Sequence, residues 1–186
     1  MKRLLVVFAV MCMFVAPALF AQDHAEVGVY GDYFRLGLGN GRNSNLFGLG
    51  GNVLVNVAHH AQVGGEVSYD FEQAFNLVNP TGITTTRVST RLVHGLFGLE
   101  IKGAGWFRPF VTAKGGFINW DIVNPGTGIV SGFGLGSSTH WALYPGGGIE
   151  AFAGPIGLRV QVGDFIYWNN GSHNNLRVTF GPQLRF

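Results

Sequence analysis

The last twelve residues, Asn175 to Phe186, read NLRVTFGPQLRF and alternate strictly between two faces. Leu176, Val178, Phe180, Pro182, Leu184 and Phe186 fall on one side; Asn175, Arg177, Thr179, Gly181, Gln183 and Arg185 fall on the other. Successive strand side chains point to opposite faces of a sheet, so this stretch is a strand with one wholly apolar face. A soluble sandwich turns such a face inward, and a membrane barrel turns it outward toward lipid. The strand by itself does not separate the two.

The opposite end of the chain bears on the choice. MKRLLVVFAVMCMFVAPALFAQ opens with Lys2 and Arg3, runs through apolar residues and reaches Ala18-Leu19-Phe20-Ala21. That is the layout of a secretory signal peptide over residues 1–21, and cleavage is expected after Ala21. The remaining residues, 22–186, are expected to form one domain. The alternative, an uncleaved anchor, lacks a positive stop-transfer flank. Cys12 lies outside any lipoprotein-type box and leaves with the signal, so the mature chain is expected to use no disulfides. Removing Lys2 and Arg3 leaves ten basic residues against ten acidic ones, computed from twelve and ten in the full sequence. A neutral chain without a basic patch gives no argument for nucleic-acid binding.

Helix signals are nearly absent from the mature chain. No apolar stripe of period 3.6 persists, and the 30 glycines interrupt almost every candidate. Eight strand segments are predicted instead: Glu26–Leu36, Leu46–Val57, Gln62–Glu72, Arg87–Ile101, Phe107–Ile118, His140–Phe152, Ile156–Trp168 and Asn175–Phe186. Such lengths match a tilted bilayer-crossing strand of about 9–11 residues rather than the shorter strands of soluble sheets. The connections alternate in length. AHHA, KGAGW and AGP are short; GLGNGRNSN, QAFNLVNPTGITTT, the Gly/Ser-rich run from Asn119 to Thr139 and NNGSHN are longer. Transmembrane barrels have short periplasmic turns and longer extracellular loops, and an even strand number places both termini in the periplasm.

Alternation assigns faces. In the third segment Val63, Val67, Tyr69 and Phe71 oppose Gln62, Glu66, Ser68, Asp70 and Glu72; in the seventh Ile156, Leu158, Val160 and Val162 oppose Arg159 and Gln161; in the second Leu49, Val53, Val55 and Val57 oppose Asn52 and Asn56. Tyr33, Phe34, Phe47, Phe71, Phe75, Trp106, Phe107, Trp120, Trp141, Phe165, Tyr167, Trp168 and Phe186 cluster at predicted strand ends, as interfacial aromatic girdles do. The alternation of the fourth and fifth segments is blurred.

The ending TFGPQLRF sets Thr179, Gly181, Leu184 and the terminal aromatic Phe186 in the positions of the assembly signal that the barrel-assembly machinery reads from the last strand of bacterial outer-membrane barrels. With the signal peptide and eight strands, the chain resembles the small OmpA-like and OmpX-like outer-membrane β-barrel family. The resemblance implies an all-β, eight-stranded antiparallel up-and-down transmembrane barrel, multi-pass in the outer membrane. It also implies contact with outer-membrane lipid, monomeric function and no cofactor. A periplasmic peptidoglycan-binding domain of the kind larger relatives carry is not expected after Phe186. Closure in lipid demands that the last strand pair with the first, and eight strands leave a lumen just wide enough for side chains to fill.

GLGG at 48–51 and PGGGIE at 145–150 lack a phosphate-loop lysine and a following helix, and read as room for tight curvature. His59 and His60 are adjacent, which suits no tetrahedral metal site; a solvated turn is the plainer reading, and no metal ligand set is assigned. Ser172, His173 and Asp164 lie near one another in sequence, and some small outer-membrane barrels modify lipid A, but no oxyanion donor accompanies them and no catalytic residue is assigned. Glu66, Asp70, Glu100, Glu150, Arg108, Lys114, Arg159, Arg177 and Arg185 are expected to form a mutually neutralising network inside the lumen. A turn centred on Ala104 sets Glu100 opposite Arg108. A turn centred between Ala153 and Gly154 sets Glu150 opposite Gly157, one diagonal step from Arg159.

The expected role is non-enzymatic: envelope structure, or surface interaction through loops whose partner is unknown. The rivals are a soluble calycin-like barrel with an apolar ligand, a narrow ion channel, and a lipid A-modifying enzyme. The terminal motif carries a direct test. Deleting Phe186 is expected to lower the folded, membrane-inserted fraction in cells, read by heat-modifiable gel migration; unchanged insertion would remove its role as a signal.

Overall fold

A computed structural model describes residues 24–37, 43–78, 85–122, 138–169 and 171–186. The expected signal peptide at 1–21 and the loop glycines Gly82 and Gly128 lie outside the described residues. The chain forms eight strands: β1 Ala25–Gly37, β2 Asn43–Ala58, β3 Ala61–Val78, β4 Thr85–Lys102, β5 Phe107–Ile122, β6 Ser138–Ala153, β7 Ile156–Trp168 and β8 Ser172–Arg185. Each pairs antiparallel with its sequence neighbours, and β8 returns to pair with β1, closing a barrel in simple sequential order. Val27 faces Leu184 and Asp32 faces Thr179 across that seam. Closure gives every strand two neighbours, so no edge is left to carry unpaired N–H and C=O groups.

All eight predicted strands are present, and most run further toward the longer connections than expected. β3 and β4 continue as a paired ladder out to Val78 opposite Thr85. Even the shortest strands, at 13 residues, exceed the about 9–11 needed to cross a bilayer core. The hairpins therefore keep their ladders beyond the apolar belt. The short turns fall at one end of the barrel with Ala25 and Arg185. The end with the longer connections is called the loop end below, and the other the turn end.

The pleat sorts side chains as the alternation predicts. Along β8, Leu176, Phe180 and Leu184 stand exposed on the outer wall while Asn175, Arg177, Thr179, Gly181 and Gln183 are buried inside. Leu49, Val55 and Val57 on β2 and Ile156, Leu158, Val160 and Val162 on β7 are likewise outside. Glu72 departs from its predicted inward face. The register shifts between Asp70 and Gln73, so a bulge at Phe71-Glu72 turns Glu72 outward, where it is exposed.

The aromatic residues divide into two sets. Tyr33, Phe47, Phe71, Trp106, Phe107, Trp141 and Trp168 decorate the exterior, whereas the ring of Phe75 lies outside the described side chains. Phe34, Trp120, Phe165 and Tyr167, also expected in the girdles, are instead buried in the lumen. Their parity explains this: Phe34 shares the inward face of Asp32, and Phe165 and Tyr167 share that of Arg159 and Gln161. Proximity to a strand end does not decide the face; odd or even position does.

Inward rings need space, and facing glycines supply it. Tyr30 is paired with Gly50, Phe110 with Gly148 and Phe152 with Gly157. A Cβ on Gly50 would lie 2.5 Å from the Tyr30 ring, and one on Gly157 would lie 2.6 Å from that of Phe152. Each ring lies over the bare backbone of its neighbour, a cross-strand arrangement that fixes register. Adjacent Gly115 and Gly116 point to opposite sides and separate steric from permissive glycines. A Cβ on inward Gly116 would come within 2.9 Å of the Leu96 Cα, while one on outward Gly115 meets nothing nearer than 3.9 Å. Gly116→Ala is therefore expected to cost about 1–3 kcal/mol and Gly115→Ala to be near neutral, measured by urea unfolding of the barrel in lipid vesicles. Equal effects would contradict the face assignment.

Candidate functional site in the lumen

The lumen is filled in two layers. Nearest the loop end, Phe34, Leu36, Leu46, Leu92, Leu96, Ile118, Trp120, Ala142, Tyr144, Phe165 and Tyr167 form one buried cluster contributed by six strands. Phe34 meets Phe165 edge-on at 5.1 Å between centroids, and Trp120 meets Tyr167 at 4.9 Å. This apolar plug was not expected from sequence. It arises where inward positions of β1, β4, β5 and β7 carry large hydrophobic residues, and that is also why the alternation of β4 and β5 is blurred: toward the loop end both of their faces are apolar.

Beneath the plug lies a layer of charge. Arg177, fully buried, is its centre. Its Nε and Nη2 donate to the Asp32 carboxylate at 2.8–3.2 Å, its Nη1 donates to Glu66, and its Nη2 also donates to the hydroxyls of Tyr30 and Ser68 at 3.2 Å each. Lys114 Nζ donates to Glu66 Oε2 at 2.5 Å and lies 3.5 Å from Gln161 Oε1. A single guanidinium thus ties β1, β3 and β8 together, and Lys114 brings in β5. Asp70 stands apart from these donors, beside His94 of β4, whose Nδ1 is 3.5 Å from Asp70 Oδ2 and whose Nε2 is 3.2 Å from Asp32 Oδ2.

Toward the turn end a second group is built on Arg159. It donates to Glu100 through both Nη atoms, to Glu150 Oε2 at 3.2 Å and to Gln161 Oε1 at 2.8 Å, and it stacks 3.7 Å over the Phe110 ring. Gln161 accepts from both Arg159 and Lys114 and so joins the two groups. At the mouth, Lys102 Nζ is 2.6 Å from Glu26 and 3.7 Å from Glu150, and Arg108 lies 3.5 and 3.7 Å from the same two carboxylates. Between the Arg177 and Arg159 groups the lining of Tyr30, Glu66, Arg159, Gln161, Thr179 and Gln183 leaves a cavity of about 10 Å³, room for about one water.

Of the nine charged residues singled out in the sequence, Glu66, Asp70, Glu100, Lys114, Glu150, Arg159 and Arg177 are buried in the lumen, and Arg108 lies at its mouth. Arg185 is at the rim instead, 3.5 Å from the Gly154 carbonyl and 5.0 Å from the Phe152 ring. The expected Glu100–Arg108 pair is not formed: Glu100 faces Thr112 and bonds Arg159, while Arg108 faces Glu150. The β4–β5 hairpin pivots about Trp106 rather than Ala104, since its last pair is Lys102 with Phe110. Pro109 has no N–H to offer the ladder, and its carbonyl instead accepts from Gly103 N at 2.8 Å across the wide turn. In the next hairpin Gly154 takes a left-handed φ of 67° in a two-residue turn, which sets Glu150 directly opposite Arg159 rather than Gly157. Both errors are shifts by an even number of residues, which preserve the face and change the partner.

Glu26, Asp32, His94, Lys102, Gln161 and Gln183 join the network without having been singled out. Parity places Glu26 and Asp32 on the inward face of β1 and His94 and Lys102 on that of β4, a signal masked by the apolar residues sharing those faces. The assembly residues Thr179, Gly181, Leu184 and Phe186 lie along β8 and at its end, where the Phe186 N–H donates to Ala25 O at 2.9 Å. His59 and His60 occupy the exposed turn between β2 and β3 with their rings edge to face at 4.6 Å. They are not splayed to opposite sides as a strand would place them. Asp164 accepts from Asn174 Nδ2 and Asn175 N, and His173 is 3.0 Å from the Asn169 carbonyl and stacked on Tyr167. His173 and Asp164 are thus engaged elsewhere rather than with one another. Among the described residues, no group of three or more His, Cys, Asp or Glu side chains is arranged to hold a metal ion.

A sequentially wound, closed eight-stranded barrel with an apolar outer wall and a packed polar lumen is the architecture of small bacterial outer-membrane barrels, and that is the fold of this chain. Neisserial surface protein A superposes with a TM-score of 0.64 at 8% identity, covering 87% of this chain and 97% of that one. The attachment invasion locus protein Ail of Yersinia pestis gives 0.56 at 11% identity over 89% and 100% of the two chains, and OprG of Pseudomonas aeruginosa gives 0.54 at 11% over 89% and 97%. Ail has also been crystallised with the heparin analogue sucrose octasulfate. No protein-family model matches the chain, and no curated protein does.

The Arg159 group yields a prediction. A double-mutant cycle on Glu100→Gln and Arg159→Gln is expected to show a coupling of about 1–3 kcal/mol, since each single change strands a buried partner. Strict additivity in urea unfolding would mean that the two side chains do not meet.

Proposed function

We propose that the protein is a non-enzymatic, monomeric barrel of the bacterial outer membrane whose lumen is a structural core and whose function is carried by the surface-exposed loop end. The observation that carries this reading is the lumen, filled among the described residues by an apolar plug above and a charge network below, as expected of a core rather than a solute path. With the interior committed to packing, the loop end is the part of the molecule free to meet a partner. Its contacts in the membrane are lipid along the outer wall and, during biogenesis, the barrel-assembly machinery at β8. The likeness to the attachment invasion locus protein Ail supports surface interaction over transport. The separate engagement of His173 and Asp164 supports the non-enzymatic reading, and the near-neutral mature charge argues against nucleic acid.

In this orientation both mature termini and the turns at Ala104 and Gly154 face the periplasm, and the loops bearing Gly82, Gly128 and Ser172 face outward. Single cysteines test it against a mature background expected to contain no thiol. Ser172→Cys is expected to react with an impermeant maleimide on intact cells and Gly154→Cys only after the outer membrane is opened. Labelling of Gly154→Cys from outside, or recovery of the wild type in the soluble fraction, would overturn the proposal.

A further inference from the structure

The middle of the lumen contains an imbalance of charge. Among the described residues, three carboxylates converge there, Asp32, Glu66 and Asp70, with only two permanent cations, Arg177 and Lys114. Arg177 is committed to Asp32 and Glu66, and Lys114 to Glu66. Asp70 is fully buried, and neither of its oxygens has a hydrogen-bond donor of good geometry among the described residues. An ionised carboxylate in that position would be an uncompensated charge in a low-dielectric site, the costliest thing a buried lumen can contain.

The side chain that remains is His94. It is fully buried and wedged between Asp32, 3.2 Å from Nε2, and Asp70, 3.5 Å from Nδ1. Its ring is packed against the Phe34 and Phe165 rings of the plug at 5.8 and 5.2 Å. The other titratable or charged groups around the trio are Arg177 from β8, Glu66 and Tyr30 at the Arg177 head group, Tyr144 beneath its guanidinium at 5.2 Å, and Lys114 behind Glu66. Each of these cations is already paired with Asp32 or Glu66.

We propose that the Asp32–His94–Asp70 trio is a proton-binding site, in which one exchangeable proton shared between His94 and Asp70 neutralises the charge that no cation among the described residues pairs with. Whether the proton resides on the imidazole or on the carboxyl, the count closes: three negative charges, two permanent positive charges and one proton. The ligand is a proton because gaps of 3.2 and 3.5 Å between the ring nitrogens and the two carboxylates are too close to admit a bridging water, and the trio is not arranged to hold a metal ion. The site lies at the junction of the two layers, so the proton joins the charged layer to the floor of the apolar plug.

The test uses the mature barrel refolded in phospholipid vesicles, with urea unfolding of the wild type, His94→Leu, Asp70→Asn and the double variant. His94→Leu removes one of the two groups that share the proton, leaves Asp70 stranded against an apolar side chain, and is expected to lower the urea midpoint. Asp70→Asn removes the charge that needs it and is expected to stay near the wild type. The double variant is expected to recover most of the loss, because two carboxylates then face two cations. Unfolding in weak buffer at pH 8 is expected to release about one more proton from the wild type than from Asp70→Asn, since the separated side chains no longer hold it. A double variant no more stable than His94→Leu, or equal proton release from the wild type and Asp70→Asn, would overturn the proposal. If His94→Leu does not fold, the proton count on the two folded proteins decides alone.

Discussion

Closure of eight strands is the constraint on which the rest of the molecule depends. A strand edge in lipid would leave its N–H and C=O groups unpaired, so β8 has to meet β1. A ring of eight is so narrow that the inward side chains must fill it. Every inward position is thereby committed to packing, and its chemistry is decided by its neighbours across the lumen rather than by solvent. The outer wall has the opposite freedom: valine, leucine, isoleucine and phenylalanine there need only be apolar, and small changes of shape are absorbed by fluid lipid.

Two physically different solutions fill the lumen. At the loop end, large apolar rings pack on one another, which is how a soluble core is built. At the turn end, carboxylates and cations of adjacent and opposing strands satisfy one another through Arg177 and Arg159. A buried ion pair has a desolvation penalty comparable to its attraction, so the network contributes less net stability than its number of contacts suggests. It does make alternatives costly. A strand slipped by two residues would keep its faces and lose its charge partners, leaving Glu66 or Glu100 uncompensated. The ring-over-glycine pairs impose the same condition sterically, since a slipped Tyr30 would meet a side chain in place of Gly50.

Much of this was legible in the sequence, and what was not has a physical reason. Strand number, antiparallel winding and the outward face of β2, β7 and β8 follow from the two-residue period, which is a local property of the chain. Pairing register is not local. It depends on how many residues each turn consumes, and the β4–β5 turn consumes more than KGAGW suggests: its ladder ends at Lys102 opposite Phe110, beyond which Pro109 has no N–H to donate. For that reason Glu100 and Arg108 were placed on the correct side and given the wrong partners. Glu72 was misassigned because a bulge is invisible to alternation. The apolar plug escaped notice because lumens are expected to be polar, and Phe34, Phe165 and Tyr167 lie at strand ends where aromatic residues normally face lipid headgroups. Their parity with Asp32, Arg159 and Gln161 is the signal that places them inside.

A lumen closed by its own side chains does not conduct. Planar-bilayer recording of the purified, folded wild-type barrel is therefore expected to show a flat baseline without single-channel steps. Regular, ion-selective conductance steps from the wild-type protein would contradict it, because ions would then be crossing a lumen that the plug and the charge network are held to fill.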